Sequence, residues 1–325
     1  MRSWRGCGGQ PARPGAGPGR ARGRGPSWAA WERLRRDRTA VASLAVLLLL
    51  AAFALLAPLW AHLTGHPCDA TFPATGLDMN GQPRGPGREF PLGADQLGRD
   101  VLVRAAYGAR ISLAVGVSAA LLAAVAGTLA GTLAGFAGGR LDAVLSRLID
   151  GALALPYLLV AILLSAAFQI SSARAGTAMT ILVIAFFSVA AFARIIRGQV
   201  LSLRRREFVE AARVLGASNA RIIAAEILPN LAAQVTVLTA LLVPASIVFE
   251  ATLSFLGAGV PPPTPSWGSM LGEGGDVFQT AWWLLAVPGF LLLATTLSFN
   301  LLADGIRDAL DPRRGRAPAP GAGRR

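Results

Sequence analysis

Runs of apolar residues long enough to cross a lipid bilayer constrain this chain more than any other feature of its sequence. Six of them follow one another and are separated by polar or arginine-bearing segments. They cover residues 41–61, 111–137, 151–168, 177–196, 231–257 and 281–303. About 20 helical residues cross the hydrocarbon core of a bilayer, and a helix satisfies its backbone hydrogen bonds internally. The pattern predicts an all-α membrane protein with six transmembrane helices.

The positions of the arginines predict the orientation of these helices, because cytoplasmic loops of membrane proteins are enriched in basic residues. All 31 basic residues of the chain are arginines. If the N-terminus is cytoplasmic, 25 of them lie on the cytoplasmic side, in residues 1–38, 138–150, 194–230 and 304–325. Six lie on the other side, where Arg99, Arg104 and Arg110 alternate with Asp95 and Asp100. We therefore expect a multi-pass protein of the bacterial inner membrane with both termini in the cytoplasm.

The chain divides into two tails, a first helix and a larger core. Residues 1–38 are rich in Gly, Pro and Arg, a composition that cannot bury a core. We predict a disordered basic cytoplasmic tail there rather than a nucleic-acid-binding arm. The other predicted segments are a first transmembrane helix at 39–63, an extracytoplasmic segment at 64–110, five further transmembrane helices within 111–304 that include a cytoplasmic loop at 204–230, and a cytoplasmic tail at 305–325.

Residue types that the chain lacks exclude several chemistries. Without a lysine it has no P-loop for the terminal phosphates of ATP and no Schiff-base nucleophile, so ATP would have to be bound by a separate chain. His62 and His66 lie close to Cys68, and we ascribe them to a flexible interfacial loop rather than to a metal site. Cys7 and Cys68 lie on opposite sides of the predicted membrane, so we expect neither a disulfide nor a structural metal.

Small residues and prolines within the runs predict closely packed and bent helices. Gly127, Gly131 and Gly135 recur at every fourth residue, a spacing that lets two helix backbones approach closely. Prolines within spanning helices free carbonyl groups and permit kinks. Three prolines lie inside the apolar runs: Pro156, Pro244 and Pro288. Both features suit a protein that changes shape, although static bundles share them.

The segment between the fourth and fifth runs is the most informative part of the sequence. Residues 207–215 are predicted to form a helix, because apolar residues recur there at helical spacing. Its apolar stripe consists of Phe208, Ala211, Ala212 and Leu215. Gly216 ends this helix, Ser218 caps a second short one, and Pro229 precedes the next span. This order predicts a docking surface for a soluble partner. A DNA-reading helix-turn-helix has a similar shape, but spanning helices tether both ends of this one.

This segment resembles the EAA loop of ABC-importer permeases. The residues that correspond to it are Glu207, Glu210, Ala211, Ala212, Gly216, Ile227, Leu228 and Pro229. In that family the loop forms a coupling helix that seats in a cleft of the ATPase subunit. The resemblance therefore implies that these residues form the ATPase-coupling loop of this chain.

The resemblance covers about residues 90–312, where the sequence is similar to the second, or C-type, permease of the dipeptide/oligopeptide/nickel group of importers. The stretches that carry it are 92–101, 108–113, 138–150, 250–257, 262–268 and 300–312. It implies the MetI-like fold of type I ABC-importer permeases. The motifs show no serious departure from the group, and the first 38 residues lie outside the match.

The resemblance also implies a role and a set of partners. The chain would be a permease subunit and not an enzyme, forming half of a translocation path for di- or oligopeptides. Its partners would be a second homologous permease, two cytoplasmic ATPase subunits that use ATP and Mg²⁺, and an extracytoplasmic substrate-binding protein. This chain would bind no cofactor itself. Import of nickel or another small solute by the same architecture is the alternative.

Glu250 lies within an apolar run, where a carboxylate is costly and should face protein or water. One interpretation is that Glu250, together with Ser254, lines the translocation path or contacts the sister permease. The other is that its carboxylate receives its hydrogen bonds within the chain, from Ser254, Thr252 or the backbone. Three tryptophans are interpreted as an aromatic belt at the outer surface of the bilayer: Trp267, Trp282 and Trp283.

Other classes of membrane protein fit this sequence less well. An ion-driven secondary transporter usually carries several intramembrane ionisable groups and internal repeats, whereas Glu250 is nearly alone here. An intramembrane enzyme needs a catalytic set within the bilayer, and both histidines lie at its boundary. A structural membrane scaffold remains a third alternative.

Overall fold

Helices make up nearly the whole structure, a computed structural model that describes residues 26–168 and 172–310. In this part of the chain they are α1 (Pro26–Arg36), α2 (Arg38–Leu55), α3 (Ala57–Thr64), α4 (Pro73–Gly76), α5 (Val101–Ala137), α6 (Gly139–Ala154), α7 (Tyr157–Phe168), α8 (Ala173–Leu203), α9 (Glu207–Val214), α10 (Asn219–Ile222), α11 (Leu228–Phe255), α12 (Trp267–Gly275) and α13 (Trp283–Leu310). A π-helical turn, Ile223–Ile227, joins α10 to α11. The β structure of these residues amounts to two isolated bridges.

Five helical stretches are long and apolar enough to cross a membrane. They are α2, α5, α8, the continuous helix from α10 through α11, and α13. The pair formed by α6 and α7 adds a sixth candidate if it is counted as one broken span. By length and composition, the structure confirms the predicted all-α membrane protein, with five spans or, if α6 and α7 are counted as one broken span, six.

The two ends of the helix bundle differ in what closes them. Helices α8 and α11 are joined by α9 and α10 at one end, which we call the loop end. Helix α12 follows α11 at the opposite end, the α12 end, where it packs against α5, α11 and α13. The start of α5 lies at the same end, because the indole Nε1 of Trp267 donates to the carbonyl of Ala105 (3.2 Å).

The third predicted span, residues 151–168, is not one straight helix. Helix α6 ends at Ala154, α7 begins at Tyr157, and the two axes differ by 82°. Pro156 has no N–H to donate and disfavours helical geometry in the residue before it, and Leu155 is indeed extended. With 12 residues, α7 measures about 18 Å and cannot alone cross the ~30 Å hydrocarbon core.

The predicted disordered tail is partly helical. Residues Pro26–Arg36 form α1, and Asp37 then caps α2 by accepting hydrogen bonds from N and Oγ1 of Thr39 (2.9 and 2.7 Å). These bonds lower the pKa of the Asp37 carboxyl from its usual value. Both α1 and α2 pack against α13, a tertiary contact that the composition of the tail does not reveal. The rest of the two predicted tails, residues 1–25 and 311–325, lies outside the described residues.

The most extensive helix contact joins α5 to α8 along the face that carries Gly127, Gly131 and Gly135. A Cβ atom added at Gly131 would lie 2.6 Å from the carbonyl oxygen of Ala193, and one at Gly127 would lie 2.9 Å from Cβ of Phe192. Side chains larger than hydrogen would therefore force the helices apart, because small residues set the separation of such pairs.

The segment between α3 and α5 is ordered, in contrast to the flexible loop that we expected around the histidines. The ring of His66 is buried and stacked on Phe90, and its Nδ1 lies 2.9 Å from Oδ2 of Asp100. The other oxygen of Asp100 caps α5 through the amide of Leu102 (2.8 Å). Burial raises the pKa of the nearby Cys68 thiol to about 12, and Cys7 lies outside the described residues.

Candidate functional site

The candidate site is the connection between α8 and α11, and its first helix ends in a well-defined cap. Gly216 follows α9 in the left-handed region, with φ of 79°. The amide of Ala217 donates to the carbonyl of Ala212 (3.0 Å), and the amide of Gly216 donates to that of Arg213 (3.0 Å). This is the Schellman arrangement, which glycine adopts without strain. Gly216 thus ends the helix, as the sequence predicted.

The second part of the connection is held by short local contacts. The hydroxyl of Ser218 accepts from the amide of Arg221 (3.4 Å) and caps α10, as predicted. The π turn then closes through the amide of Leu228, which donates to Ile223. Pro229 has no N–H to donate. The side-chain amide of Asn230 donates to the carbonyl of Glu226 (2.6 Å).

Buried aliphatic side chains attach the connection to the helix bundle. Val209, Ile222 and Ile227 are fully buried and share one core with Ile196 and Val200 of α8. Burial of each such side chain contributes about 1.5–3 kcal/mol. A displacement of the connection must therefore move the end of α8 with it or break this core.

The observed apolar stripe of α9 differs from the predicted one. Phe208 and Ala212 of that stripe pack against the core together with Val209, whereas its other members, Ala211 and Leu215, are exposed. Val209 lies on the buried face because it fills the space next to α8. Sequence periodicity over eight residues did not distinguish between these neighbouring faces.

The opposite face of α9 forms an exposed patch that we call the loop surface. It consists of Glu207, Glu210, Ala211, Val214, Leu215 and Gly216, all of them exposed. Val214 and Leu215 leave 88% and 87% of their surface uncovered. Val214 was missed by the sequence analysis, although it lies one helical turn after Glu210 and just before the helix ends. Of the other predicted loop residues, Ile227 is buried, Leu228 is half-buried and Pro229 is exposed.

Arginines surround the loop surface. Arg205, Arg206, Arg213 and Arg221 are all exposed at the loop end, and the guanidinium of Arg213 lies 5.8 Å from the ring centre of Phe136. The surface therefore offers two carboxylates and two large apolar side chains inside a basic rim. Uncovered apolar side chains on a well-ordered helix are typical of a protein interface.

Glu250 lies inside the chain and not on a surface. It is fully buried between α5, α11 and α12, and its two carboxylate oxygens accept from the hydroxyls of Ser112 and Ser254 (2.7 Å each). Ser112 in turn accepts from the amide of Trp267 (3.2 Å). Thr252 instead bonds to the carbonyl of Val248. Within this chain the carboxylate is satisfied by serines, and its placement does not support a path-lining or sister-contact role.

Three of the arginines that the topology placed on the outer side have partners within the chain. Arg99 contacts Asp95 (2.6 Å) and Glu273 of α12 (2.7 Å), and Arg104 contacts the same two carboxylates (3.4 and 2.9 Å). Arg110 donates to the carbonyls of Ala54 and Leu55 at the end of α2. Carboxylates thus neutralise Arg99 and Arg104, and backbone carbonyls hold Arg110, contacts that the sequence alone did not resolve.

The aromatic belt that we predicted is wrong for two of its three tryptophans. Trp267 and Trp283 are buried, and the indole Nε1 of Trp283 donates to the carbonyl of Ala94 (3.0 Å). Trp282 is exposed. The first two tryptophans join helices to the outer segment, since a buried indole requires a hydrogen-bond partner.

Comparisons with known proteins agree on one family. A family model described as binding-protein-dependent transport system inner membrane component matches residues 127–316. A second, described as the N-terminal TM domain of oligopeptide transport permease C, matches residues 25–75. The chain is 44% identical over 287 residues to the oligopeptide transport system permease protein OppC of Escherichia coli strain K12, covering 87% of this chain and 91% of that protein.

Two further similarities extend this result. The dipeptide transport system permease protein DppC of Bacillus subtilis strain 168 is 40% identical over 285 residues, covering 87% of this chain and 85% of that protein. A chain of the MetNI methionine ABC transporter, solved in inward-facing conformations, has a TM-score of 0.51 at 18% identity and covers 63% of this chain and 94% of that chain. At this identity the second similarity concerns the fold alone.

Proposed function

This chain belongs to the family of binding-protein-dependent transport system inner membrane components, and from that premise we propose that it forms half of a translocation path for di- or oligopeptides. It is a transport permease component and not a catalytic enzyme. Its relatives are permease proteins of oligopeptide and dipeptide transport systems, which supports a peptide cargo over nickel or another small solute. The carboxylate of Glu250 is held by two serines of the same chain, which gives no support to an ion-driven mechanism.

The loop surface is the observation that carries the proposed mechanism. The side chains of Val214 and Leu215 are exposed at the end of α9, whereas the other face of this helix is buried against α8. We propose that a separate ATPase subunit covers them, with Glu207 and Glu210 at the edge of the contact. The chain has no lysine and hence no P-loop of its own, so ATP and Mg²⁺ would belong to that ATPase.

The buried half of the connection would convert this docking into movement of the helices. When two ATPase subunits close on ATP, the loop surface would move with them, and Val209, Ile222 and Ile227 would carry the ends of α5, α8 and α11. Such coupling requires that the two ATPase states contact the loop surface differently, because a partner shifts an equilibrium only by its differential affinity. The loop end would then lie in the cytoplasm, together with both termini.

The path itself would follow a groove of about 330 Å³ between α11 and α13. Its lining residues are Leu241, Pro244, Ala245, Val248, Phe249, Thr296 and Asn300. Asn300 is exposed near the end of the predicted apolar run of α13, and its polar side-chain amide favours contact with protein or water over lipid. A second homologous permease would close the groove, and an extracytoplasmic binding protein would deliver the peptide to the α12 end.

Purification of the tagged chain with its partners tests this function. The chain, co-expressed with the permease, ATPase and binding protein encoded next to it, should recover a second permease and ATPase subunits from solubilised membranes. In nanodiscs the complex should hydrolyse ATP faster when the loaded binding protein is added. Recovery of the chain alone, under conditions that preserve other ABC complexes, would overturn the proposal.

The cargo needs a separate measurement on the same complex. Proteoliposomes should accumulate a labelled di- or oligopeptide in an ATP-dependent manner and should not accumulate Ni²⁺. Accumulation of Ni²⁺ without peptide would mean that the chain belongs to an importer whose cargo is the metal ion and not a peptide.

A further inference from the structure

Helix α6 presents three different faces around its circumference. One face packs on α8, where Ile149 is buried against Ala193 and the carboxylate of Asp142 accepts two hydrogen bonds from Arg197 (2.6 and 2.9 Å). A second face is apolar and uncovered, with Leu141, Val144 and Leu148 exposing 47%, 57% and 65% of their surface. The third face is polar and exposed.

Two arginines border the uncovered apolar face. Arg140 and Arg147 are both exposed and lie seven residues apart, which places them on the same side of the helix. At about 100° per residue, they lie next to Val144 on the side away from α8. The helix thus offers an apolar strip with a basic edge, the layout of helices that lie in a membrane interface.

The ion pairs between α6 and α8 show how α6 is oriented. Asp142 pairs with Arg197 and Asp150 pairs with Arg194. Eight helical steps, about 12 Å, separate the two acids along α6, whereas three steps, about 4.5 Å, separate the two arginines along α8. This unequal spacing agrees with a helix α6 that crosses α8.

The bend at Leu155 and Pro156 agrees with this orientation. The axes of α6 and α7 differ by 82°, and α7 runs along α8, with Tyr157 against Phe187 and Ala161 in the same core as Val183. If α8 crosses the bilayer, α6 lies close to the plane of its surface. The charged residues of α6 are confined to the part between Arg140 and Asp150, and its last turn is apolar and leads into α7.

From this geometry we infer that the first three turns of α6 lie in the cytoplasmic membrane interface and bind anionic phospholipid. Leu141, Val144 and Leu148 insert below the headgroups, and Arg140 and Arg147 bind the lipid phosphates. The basic edge selects for lipid, because the inner leaflet is negatively charged and arginine attracts phosphate there. The inference rests on the proposed cytoplasmic location of the loop end.

Two neighbouring labelling positions test the insertion. In the full chain with Cys7→Ser and Cys68→Ser, a nitroxide is attached at Val144→Cys or Ala143→Cys, which are both exposed and about 100° apart on the helix. The complex is reconstituted in nanodiscs of phosphatidylglycerol and phosphatidylcholine. Dissolved oxygen should broaden the signal at position 144, and a water-soluble nickel chelate should broaden the signal at position 143.

Two results would overturn the insertion. Equal access of the chelate to both positions would mean that α6 stands clear of the bilayer. Shielding of position 144 from both reagents would mean that a protein chain, such as the sister permease, covers the apolar face. Neither readout requires transport, so α6 can fail this test while the peptide-importer proposal stands.

Lipid selectivity tests the role of the arginines. The variant Arg140→Gln/Arg147→Gln should bind spin-labelled phosphatidylglycerol less well than the wild type, by roughly fivefold for each arginine at low salt. The difference should shrink in high salt. The control Arg84→Gln/Arg88→Gln removes two exposed charges at the α12 end and should leave the selectivity unchanged. An equal loss in both variants would overturn the assignment of the lipid site to α6.

Discussion

The two ends of the helix bundle treat their polar and apolar side chains in opposite ways. At the α12 end, Asp95 and Arg104 are buried and paired, and Trp267 is fully enclosed. At the loop end, Val214 and Leu215 are exposed on a helix whose other face is buried. One end satisfies its groups within the chain, whereas the other leaves apolar surface for another molecule.

This difference in side-chain burial indicates that the loop end, and not the α12 end, needs a partner to cover its exposed apolar side chains. A buried charge is costly unless it is paired, and removal of one member of a pair costs more than the pair contributes. The α12 end should therefore be rigid and sensitive to substitution on its own. The loop end should tolerate substitution in isolation and fail only when its partner must bind.

Asp95→Asn should have the largest effect on stability. It would leave Arg99 and Arg104 with less compensation in a buried site, at a cost of about 3–5 kcal/mol. The melting temperature of the detergent-solubilised chain should fall by several degrees, while folded molecules retain the ATPase. Glu89→Gln, at an exposed position of the same segment, is the control. If the variant no longer binds the ATPase although its melting temperature is unchanged, the α12 end contributes to ATPase binding and the proposed difference between the two ends is wrong.

Val214→Asp/Leu215→Asp should have the largest effect on assembly. Central apolar contacts of an interface commonly contribute about 2 kcal/mol or more, so the ATPase should bind at least about thirtyfold more weakly. The melting temperature of the isolated chain should stay the same, because both side chains are exposed. Titration of purified ATPase onto the chain in nanodiscs measures the change, with Leu215→Met as the control. If the variant binds the ATPase as strongly as the wild type does, the loop surface is not part of the interface.

Gly216→Ala should disturb the loop end by a smaller amount. A Cβ meets no neighbouring atom there, so the cost arises from the positive φ alone and is about 1–2 kcal/mol. We expect reduced stimulation of ATP hydrolysis by the binding protein at normal membrane yield. Gly198→Ala, at an exposed helical glycine that is equally uncrowded, should leave the stimulation intact. If the two variants behave alike, the shape of the cap does not control coupling.

Ser218→Ala should have the smallest effect. The cap of α10 is a single long hydrogen bond of 3.4 Å, so its loss should cost about 0.5 kcal/mol, the low end for such caps. Hydrogen–deuterium exchange of the amides in α10 should accelerate about twofold, and exchange at the start of α12 should not change. Faster exchange at both ends would show that they are coupled and would sharpen the comparison.

Several features of the loop followed from local sequence and were found as predicted. Gly216 ends α9 and Ser218 caps α10, because both effects depend on residues within one or two helical turns. Helical spacing did not show which face of α9 packs against the bundle, since Ala211 and Val209 are both apolar and only the space beside α8 selects between them. Val214 was missed for the same reason.

The α12 end was the less predictable region. Its contacts join residues far apart in the chain, such as Arg99 with Glu273 and Trp283 with Ala94. Residue spacing along the sequence does not reveal such pairs. The tryptophans were therefore assigned to an aromatic belt, and the outer arginines were an exception to the enrichment of basic residues in cytoplasmic loops.

The sequence by itself determined the class of this protein: a bundle of apolar spans, arginines clustered in the segments at one end of those spans, and a helical loop that resembles the coupling loop of ABC importers. Those properties depend on the composition and the local order of residues, and neither of these changes with the tertiary packing of the chain. Only the tertiary structure decided that Glu250 is enclosed by two serines, that α6 turns by 82° at Pro156 and that Val214 faces outward. Each of these depends on which distant side chains fill the same space, and that is settled only when the helices pack.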